Sequence, residues 1–244
     1  MSCSQVDHTT YCAVRNSTTL ENFVLQPFVR FLLAPAARAV FRPTVEGAAN
    51  VPARGPVIFA ANHRAALDTA VISFVLPHRR IRFLGKAEYF TGRGPRGRLM
   101  ANFVDALGYI PVERGNAHAG LAALGAAQQV LNAGGAFAIY PEGTRSLDGR
   151  LHRGHTGVAV LALTTGAPVI PVGLTGTEGL QPDGARIPRP TPITIRFGAP
   201  LSFTGENRPR VRREVTDEIM AAIRDLSQQE YVNAYHRRPD ENIA

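Results

Sequence analysis

The chain has 244 residues, with 27 Lys+Arg against 19 Asp+Glu for a formal charge of +8, and is 45% hydrophobic and 19% charged. Such a length and balance suit one globular domain with a sizeable core and exclude wholesale disorder, a coiled coil and a collagen-like repeat. The two cysteines, Cys3 and Cys12, precede every predicted element, so no disulfide scaffold or four-cysteine zinc site is available, and a reducing compartment fits.

Residues 1–18 are polar and read as a flexible tail; no basic segment runs into an apolar stretch there, so no cleaved signal peptide is expected. Over 19–43, Phe23, Leu25, Phe28, Phe31 and Leu32 are interleaved with Arg30, Arg38 and Arg42, while Glu21, Pro27 and Pro35 interrupt what would otherwise approach a membrane span. This stretch predicts an amphipathic helical region that either lies in a membrane interface or packs on the domain as a hairpin.

Over 44–228, short apolar runs alternate with helical patterns, which predicts an α/β domain: a mixed, mostly parallel sheet of about seven strands flanked by helices. The strands are expected at Thr44–Glu46, Val57–Ala60, Ile81–Leu84, Tyr109–Val112, Phe137–Tyr140, Pro168–Leu174 and Ile193–Phe197. Unbroken hydrophobicity in Val57-Ile58-Phe59-Ala60 and Val169-Ile170-Pro171-Val172 implies strands covered on both faces. Helices are expected at Leu67–Leu76, at Ala117–Asn132 between Asn116 and Gly134-Gly135, at Thr156–Thr164 before Gly166, and at Pro209–Ser227, where Val211, Val215, Ile219, Ala222 and Leu226 share a face. The glycine-rich, basic run Thr91–Arg98 lacks the ending of a nucleotide phosphate loop and reads as a solvated loop facing anions. The polar segment 229–244 reads as a fraying tail.

Two segments carry chemistry. In Asn62-His63-Arg64-Ala65-Ala66-Leu67-Asp68 the His and Asp are five apart, about 140° around one regular helix, so they can meet only if His63 sits on the turn before the helix and Asp68 in its first turn. The carboxylate then folds back, fixes the imidazole tautomer, and makes a general base with its orienting group. Open α/β sheets place their sites at such strand ends. In Tyr140-Pro141-Glu142-Gly143-Thr144-Arg145-Ser146, Pro141 and Gly143 stop a strand in a tight turn and leave Glu142, Thr144, Arg145 and Ser146 just past it. Arg145 there suits either a bidentate phosphate contact or an ordinary ion pair. Arg114, in Gly108-Tyr109-Ile110-Pro111-Val112-Glu113-Arg114, follows another strand end. His152 and His155 have no carboxylate or Cys partner in the local sequence, so no metal site is expected. No nucleic-acid signature accompanies the basic surplus, which an anionic membrane explains equally well.

The order Asn-His-x4-Asp, Ile-Pro-Val-Glu-Arg, Pro-Glu-Gly-Thr-Arg-Ser and Val-Ile-Pro-Val resembles the four blocks of the glycerolipid acyltransferase family, in particular its bacterial 1-acyl-sn-glycerol-3-phosphate acyltransferases. It departs at Glu113, where Asp or a similar residue precedes the Arg, and at Tyr140, where Phe is common. The resemblance implies transfer of a fatty acyl group from acyl-CoA or acyl carrier protein to the free hydroxyl of lysophosphatidic acid, without a cofactor, by a protein on the cytoplasmic face of the membrane among anionic lipids. It implies that His63 is the base and Asp68 its partner, that Arg114 and Arg145 hold phosphate, that Glu142, Gly143 and Thr144 shape the acceptor site, and that Lys86 lies near the acceptor phosphate. The same chemistry on another lysolipid or a glycolipid, and a non-catalytic lipid-binding protein, are the rival expectations.

Overall fold

In the computed structural model, which describes residues 28–92, 94–112, 117–181 and 188–236, the strands are β1 (Thr44–Glu46), β2 (Val57–Ala61), β3 (Ile81–Lys86), β4 (Tyr109–Val112), β5 (Ala136–Ile139), β6 (Leu151–His152), β7 (Val169–Thr175), β8 (Thr194–Phe197) and β9 (Tyr231–Val232). The α-helices are α1 (Ala34–Phe41), α2 (Asp68–Val75), α3 (Gly94–Ala106), α4 (Ala117–Asn132), α5 (Gly157–Thr165) and α6 (Pro209–Ser227). Seven strands form one sheet in the order β1-β8-β7-β2-β5-β3-β4, in which only β7 and β8 run antiparallel. This is the mixed, mostly parallel sheet expected from the sequence.

The unbroken apolar runs have the predicted cause. Every residue of β2 is buried, with Val57 and Phe59 packed among Ile72, Phe83 and Ile170 on one face and Ile58 and Ala60 among Leu131, Val158 and Ile219 on the other. A strand covered on both sides has no solvent face to carry polar residues. Helix α6 lies directly on β7 because Gly173 is there: a Cβ at that position would stand 2.5 Å from the Leu226 carbonyl carbon. At the amino end, a π-helical turn (Val29–Leu33) runs into α1, whose only buried residue is Ala34. No helix among the described residues is long and apolar enough to cross a membrane.

Two regions differ from the sequence expectation. From Gly94 onward the run read as a solvated loop is the start of α3; Gly94 and Gly97 fall in the first turn, and Arg98-Leu99-Met100-Ala101 are strong helix formers that carry the helix onward. The segment after Gln228 does not fray at once: Gln229 is buried, and Tyr231–Val232 pair with Leu151–His152 to make a small second sheet. Residues 1–27 and 237–244, which include the predicted flexible tail 1–18, the first part of the predicted amphipathic region and the end of the predicted C-terminal tail, lie outside the described residues.

Candidate active site

Strands β2, β5, β3 and β4 are parallel neighbours, so their carboxyl ends open on one edge of the sheet. His63 follows β2, Lys86 ends β3, and the Tyr140–Ser146 turn follows β5. Arg114, after β4, lies outside the described residues.

Asp68 opens α2 and is fully buried. Its Oδ2 accepts from His63 Nδ1 at 2.9 Å, from the Arg64 N–H at 2.7 Å and from the Ala65 N–H at 2.9 Å. The turn that the five-residue spacing requires is thus built around the carboxylate. An acceptor at Nδ1 places the imidazole proton there and leaves Nε2 free to take one from a substrate.

Two further contacts hold the imidazole from outside the motif. The Tyr140 ring stacks on it, with centroids 3.9 Å apart and planes 12° from parallel. The Tyr140 hydroxyl lies 3.0 Å from Thr69 Oγ1, which ties the stack to the residue after Asp68. Burial, and then the nearby Asp68 charge, push this phenol well above its ordinary pKa, so it stays protonated. Asn62 is the second anchor. It is fully buried, its Oδ1 accepts from the Leu174 N–H at 2.7 Å, and its Nδ2 donates to Leu174 O at 2.9 Å and to Gln229 Oε1 at 2.7 Å. A side-chain amide here continues the β2–β7 ladder where β2 itself has ended, and the Gln229 contact explains why the predicted tail docks.

Glu142 is not presented past its turn. It is 1% exposed, with Oε1 accepting from the His63 N–H at 3.1 Å and Oε2 from the His152 N–H at 2.9 Å. Gly143 makes this possible with φ +74°, a left-handed turn that rolls the Glu142 side chain inward. Burial raises the Glu142 carboxyl to about 7, against the pull of the His152 and His63 amides. From the ordinary 4.5 up to that value the folded state holds a proton that the unfolded chain has released, so stability falls as pH rises through this window, by roughly 3 kcal/mol. Glu142→Gln is expected to flatten that slope. Urea unfolding should place the variant about 1–3 kcal/mol below the parent near the acid end, because its amide nitrogen then faces a backbone N–H, and closer to the parent once the Glu142 carboxyl has ionised. Parallel slopes in parent and variant would contradict this placement.

Ser146 belongs to the scaffold. It is buried, its N–H donates to His63 O at 2.8 Å, and its hydroxyl donates to Arg150 O at 2.6 Å. Thr144 is half-buried, while Gly143, Arg145 and Lys86 are exposed on the strand-end edge. The structure therefore joins His63, Asp68 and Glu142 directly and brings the two cations only to the same edge. Arg64, within the first motif, is paired with Glu178 at 2.9 Å. His152 does have a carboxylate partner: its Nε2 lies 3.0 Å from Asp148 Oδ1, and the His236 ring is beside it. Although Asp148, His152 and His236 offer ligand atoms within 4.8 Å of one another, Asp148 Oδ2 already accepts from Arg150 Nε at 2.9 Å and Nη2 at 2.7 Å.

Sequence reasoning missed the Tyr140 stack, the Gln229 anchor and the inward turn of Glu142. Only Tyr140 left a signal, as an aromatic at the end of a strand beside the one that delivers His63.

The other wall of the site is apolar. A cavity of about 390 Å³ reaches Ala66 and Leu67, two of the four residues between His63 and Asp68, and is walled by Phe41, Phe74, Val104 and Leu107 among others.

The chloroplast 1-acyl-sn-glycerol-3-phosphate acyltransferase of Arabidopsis thaliana is 27% identical over 146 residues, 59% of this chain and 39% of that protein. A 1-acyl-sn-glycerol-3-phosphate acyltransferase of Chlamydomonas reinhardtii is 31% identical over 173 residues, 70% of this chain and 50% of its own. The chain thus spans between two-fifths and one-half of the length of these relatives. The crystal structure of the 1-acyl-sn-glycerophosphate acyltransferase PlsC from Thermotoga maritima shares the fold, with a TM-score of 0.61 at 22% identity over 90% of this chain and 87% of that one. The family model described as Acyltransferase matches residues 42–175, which contain β1 through β7, the His63–Asp68 pair and the Glu142 turn, and the chain belongs to that family.

Proposed function

We propose that this chain transfers a fatty acyl group from a thioester of CoA or acyl carrier protein to the free hydroxyl of lysophosphatidic acid, forming phosphatidic acid. The observation that carries the reading is the His63–Asp68 pair set against an apolar cavity that begins at Ala66 and Leu67. A base alone fits many hydrolases and transferases. A base beside a chain-sized apolar cavity fits an acyl donor or acceptor. The names of the relatives supply the acceptor, and Arg145 and Lys86, exposed on the same edge, supply cations for its phosphate.

In the step, the acceptor hydroxyl oxygen bonds to the thioester carbonyl carbon while His63 Nε2 takes its proton, and Asp68 stabilises the imidazolium. The C–S bond then breaks, and the imidazolium returns the proton to the leaving thiolate. The tetrahedral oxyanion needs donors. The amides of His63, Arg64 and Ala65, after β2, are already committed to Glu142 and Asp68. The amides of Thr144 and Arg145, in the turn held against His63 O by Ser146, take that role. The thioester provides the driving force, so the proposal carries no cofactor. The protein works peripherally at the cytoplasmic face of an anionic membrane.

The test is product analysis by mass spectrometry, with acyl-CoA and a panel of lysolipids acylated at either glycerol position. Phosphatidic acid as dominant product is expected. Acylation of another lysolipid with lysophosphatidic acid untouched would keep the chemistry and remove the acceptor; silence on every acceptor and with both donors would remove the catalytic reading. The cavity makes a separate prediction. Ala70, half-buried in its wall, can be enlarged: Ala70→Phe is expected to shift the preference from long to medium acyl chains by at least about tenfold in kcat/KM, since two displaced methylenes at about 0.8 kcal/mol each suffice. An unchanged chain-length profile in a folded variant would place the chain elsewhere.

A further inference from the structure

Helix α3 is thirteen residues long, yet Val104 is its only buried residue. A helix of that length gains most of its stability in water by packing an apolar face. The first two turns of α3 instead hold Leu99 at 64% and Met100 at 52% exposure.

The same pattern recurs at one other place. Ten large hydrophobic residues are exposed among the described residues. Phe28, Phe31, Leu32 and Val40 lie on the stretch that ends in α1, and Tyr89, Leu99 and Met100 on the stretch that enters α3. These seven are on the two stretches that wall the apolar cavity on its solvent side, where the exposed Arg38, Tyr89 and Met100 stand at its rim. Apolar residues exposed singly are ordinary, but a grouping around one cavity mouth marks an interaction surface.

Charge selects the partner. Arg38 and Arg42 are exposed on the first stretch and Arg96 and Arg98 on the second; residues 28–43 contain no Asp or Glu, and the acids of the second stretch are Glu88, beside Tyr89, and Asp105, at the far end of α3 and 3.7 Å from Arg82. Exposed apolar side chains beside Arg38, Arg42, Arg96 and Arg98, with cations in excess of acids, fit the interface of an anionic bilayer. We propose that α3, with the turn at Tyr89, is a second membrane-contact element. Together with residues 28–41 it seats the mouth of the cavity on anionic lipid. The docking stands on these observations by themselves; its consequence, that an acyl chain passes between bilayer and cavity without crossing water, rests on the function proposed above.

The test uses the full chain, sedimented with vesicles of phosphatidylcholine with and without phosphatidylglycerol. The parent is expected to bind the anionic vesicles. Leu99→Asp should lower that partition roughly tenfold, and Arg96→Ser with Arg98→Ser by an order of magnitude at low salt. Leu121→Asp, at an equally exposed position on α4 away from the cavity, should match the parent. A parent that ignores anionic vesicles, a Leu99→Asp variant that binds as the parent does, or an equal loss in Leu121→Asp would each overturn the proposal. So would a fall in oligomeric mass by light scattering in Leu99→Asp with vesicle binding intact, which would make this face a contact between copies. Transfer from a short, water-soluble acyl-CoA, read in the same variants, should be parental in Leu99→Asp. A parent with no transfer at all would sink the proposed function while leaving the vesicle result to decide the docking.

Discussion

His63→Ala should lose roughly two to four orders of magnitude in turnover, the range that general-base assistance supplies, while keeping its fold. The two effects separate because of what His63 touches. Its Nδ1 bonds Asp68 and its ring stacks on Tyr140, but its two structural hydrogen bonds, N–H to Glu142 and O from Ser146, are made by the backbone and survive in alanine. The side chain is 18% exposed, so its removal opens the cleft and leaves no sealed cavity. A single-turnover measurement with acyl-CoA and lysophosphatidic acid, paired with a thermal unfolding curve, checks both halves. Turnover within a few-fold of the parent would remove His63 from the chemistry. Collapse of the fold would show that the ring itself holds the turn.

Asp68 should respond differently, and two substitutions tell its roles apart. In Asp68→Ala the amides of Arg64 and Ala65 and the imidazole lose their shared acceptor inside a buried turn, so a stability loss of about 2–4 kcal/mol is expected together with a turnover loss of roughly 10³-fold or more. Asp68→Asn keeps an oxygen to accept from those amides and should recover much of the stability. It should not recover turnover, since a neutral amide cannot stabilise the imidazolium that forms as the proton is taken. Urea unfolding and initial rates on the two variants therefore ought to diverge. If Asp68→Asn runs at near-parental rate, the carboxylate charge plays no part and Asp68 only shapes the turn.

The pattern in these predictions follows which contacts are local. The interaction between His63 and Asp68 spans five residues, and its geometry was readable because helix periodicity forbids that pair on one helix and permits it across a strand-to-helix turn. Strand β4 and helices α4 and α6 likewise begin and end at the predicted residues, because alternating and 3.6-residue patterns, capping glycines and a helix-starting proline are properties of short windows. By contrast, the contact of Glu142 with His63 spans 79 residues, and those of Asn62 with Leu174 and Gln229 span 112 and 167. No window contains both ends of such a contact. A polar residue beside a turn looks the same in sequence whether its side chain is aimed at solvent or at a buried amide.

The sequence by itself determined the fold class, the contact between His63 and Asp68 and the edge of the sheet where that pair lies, since hydrophobic period and turn chemistry act between near neighbours. Tertiary structure alone decided the rest: that Glu142 braces the backbone of His63, that Tyr140 lies flat on the imidazole, that Gln229 ties the segment after α6 to Asn62, and that α1, α2 and α3 wall an apolar cavity. Each of these depends on which side chains the closed sheet brings within a few ångströms, and that distance is set by strand order and helix packing rather than by separation along the chain.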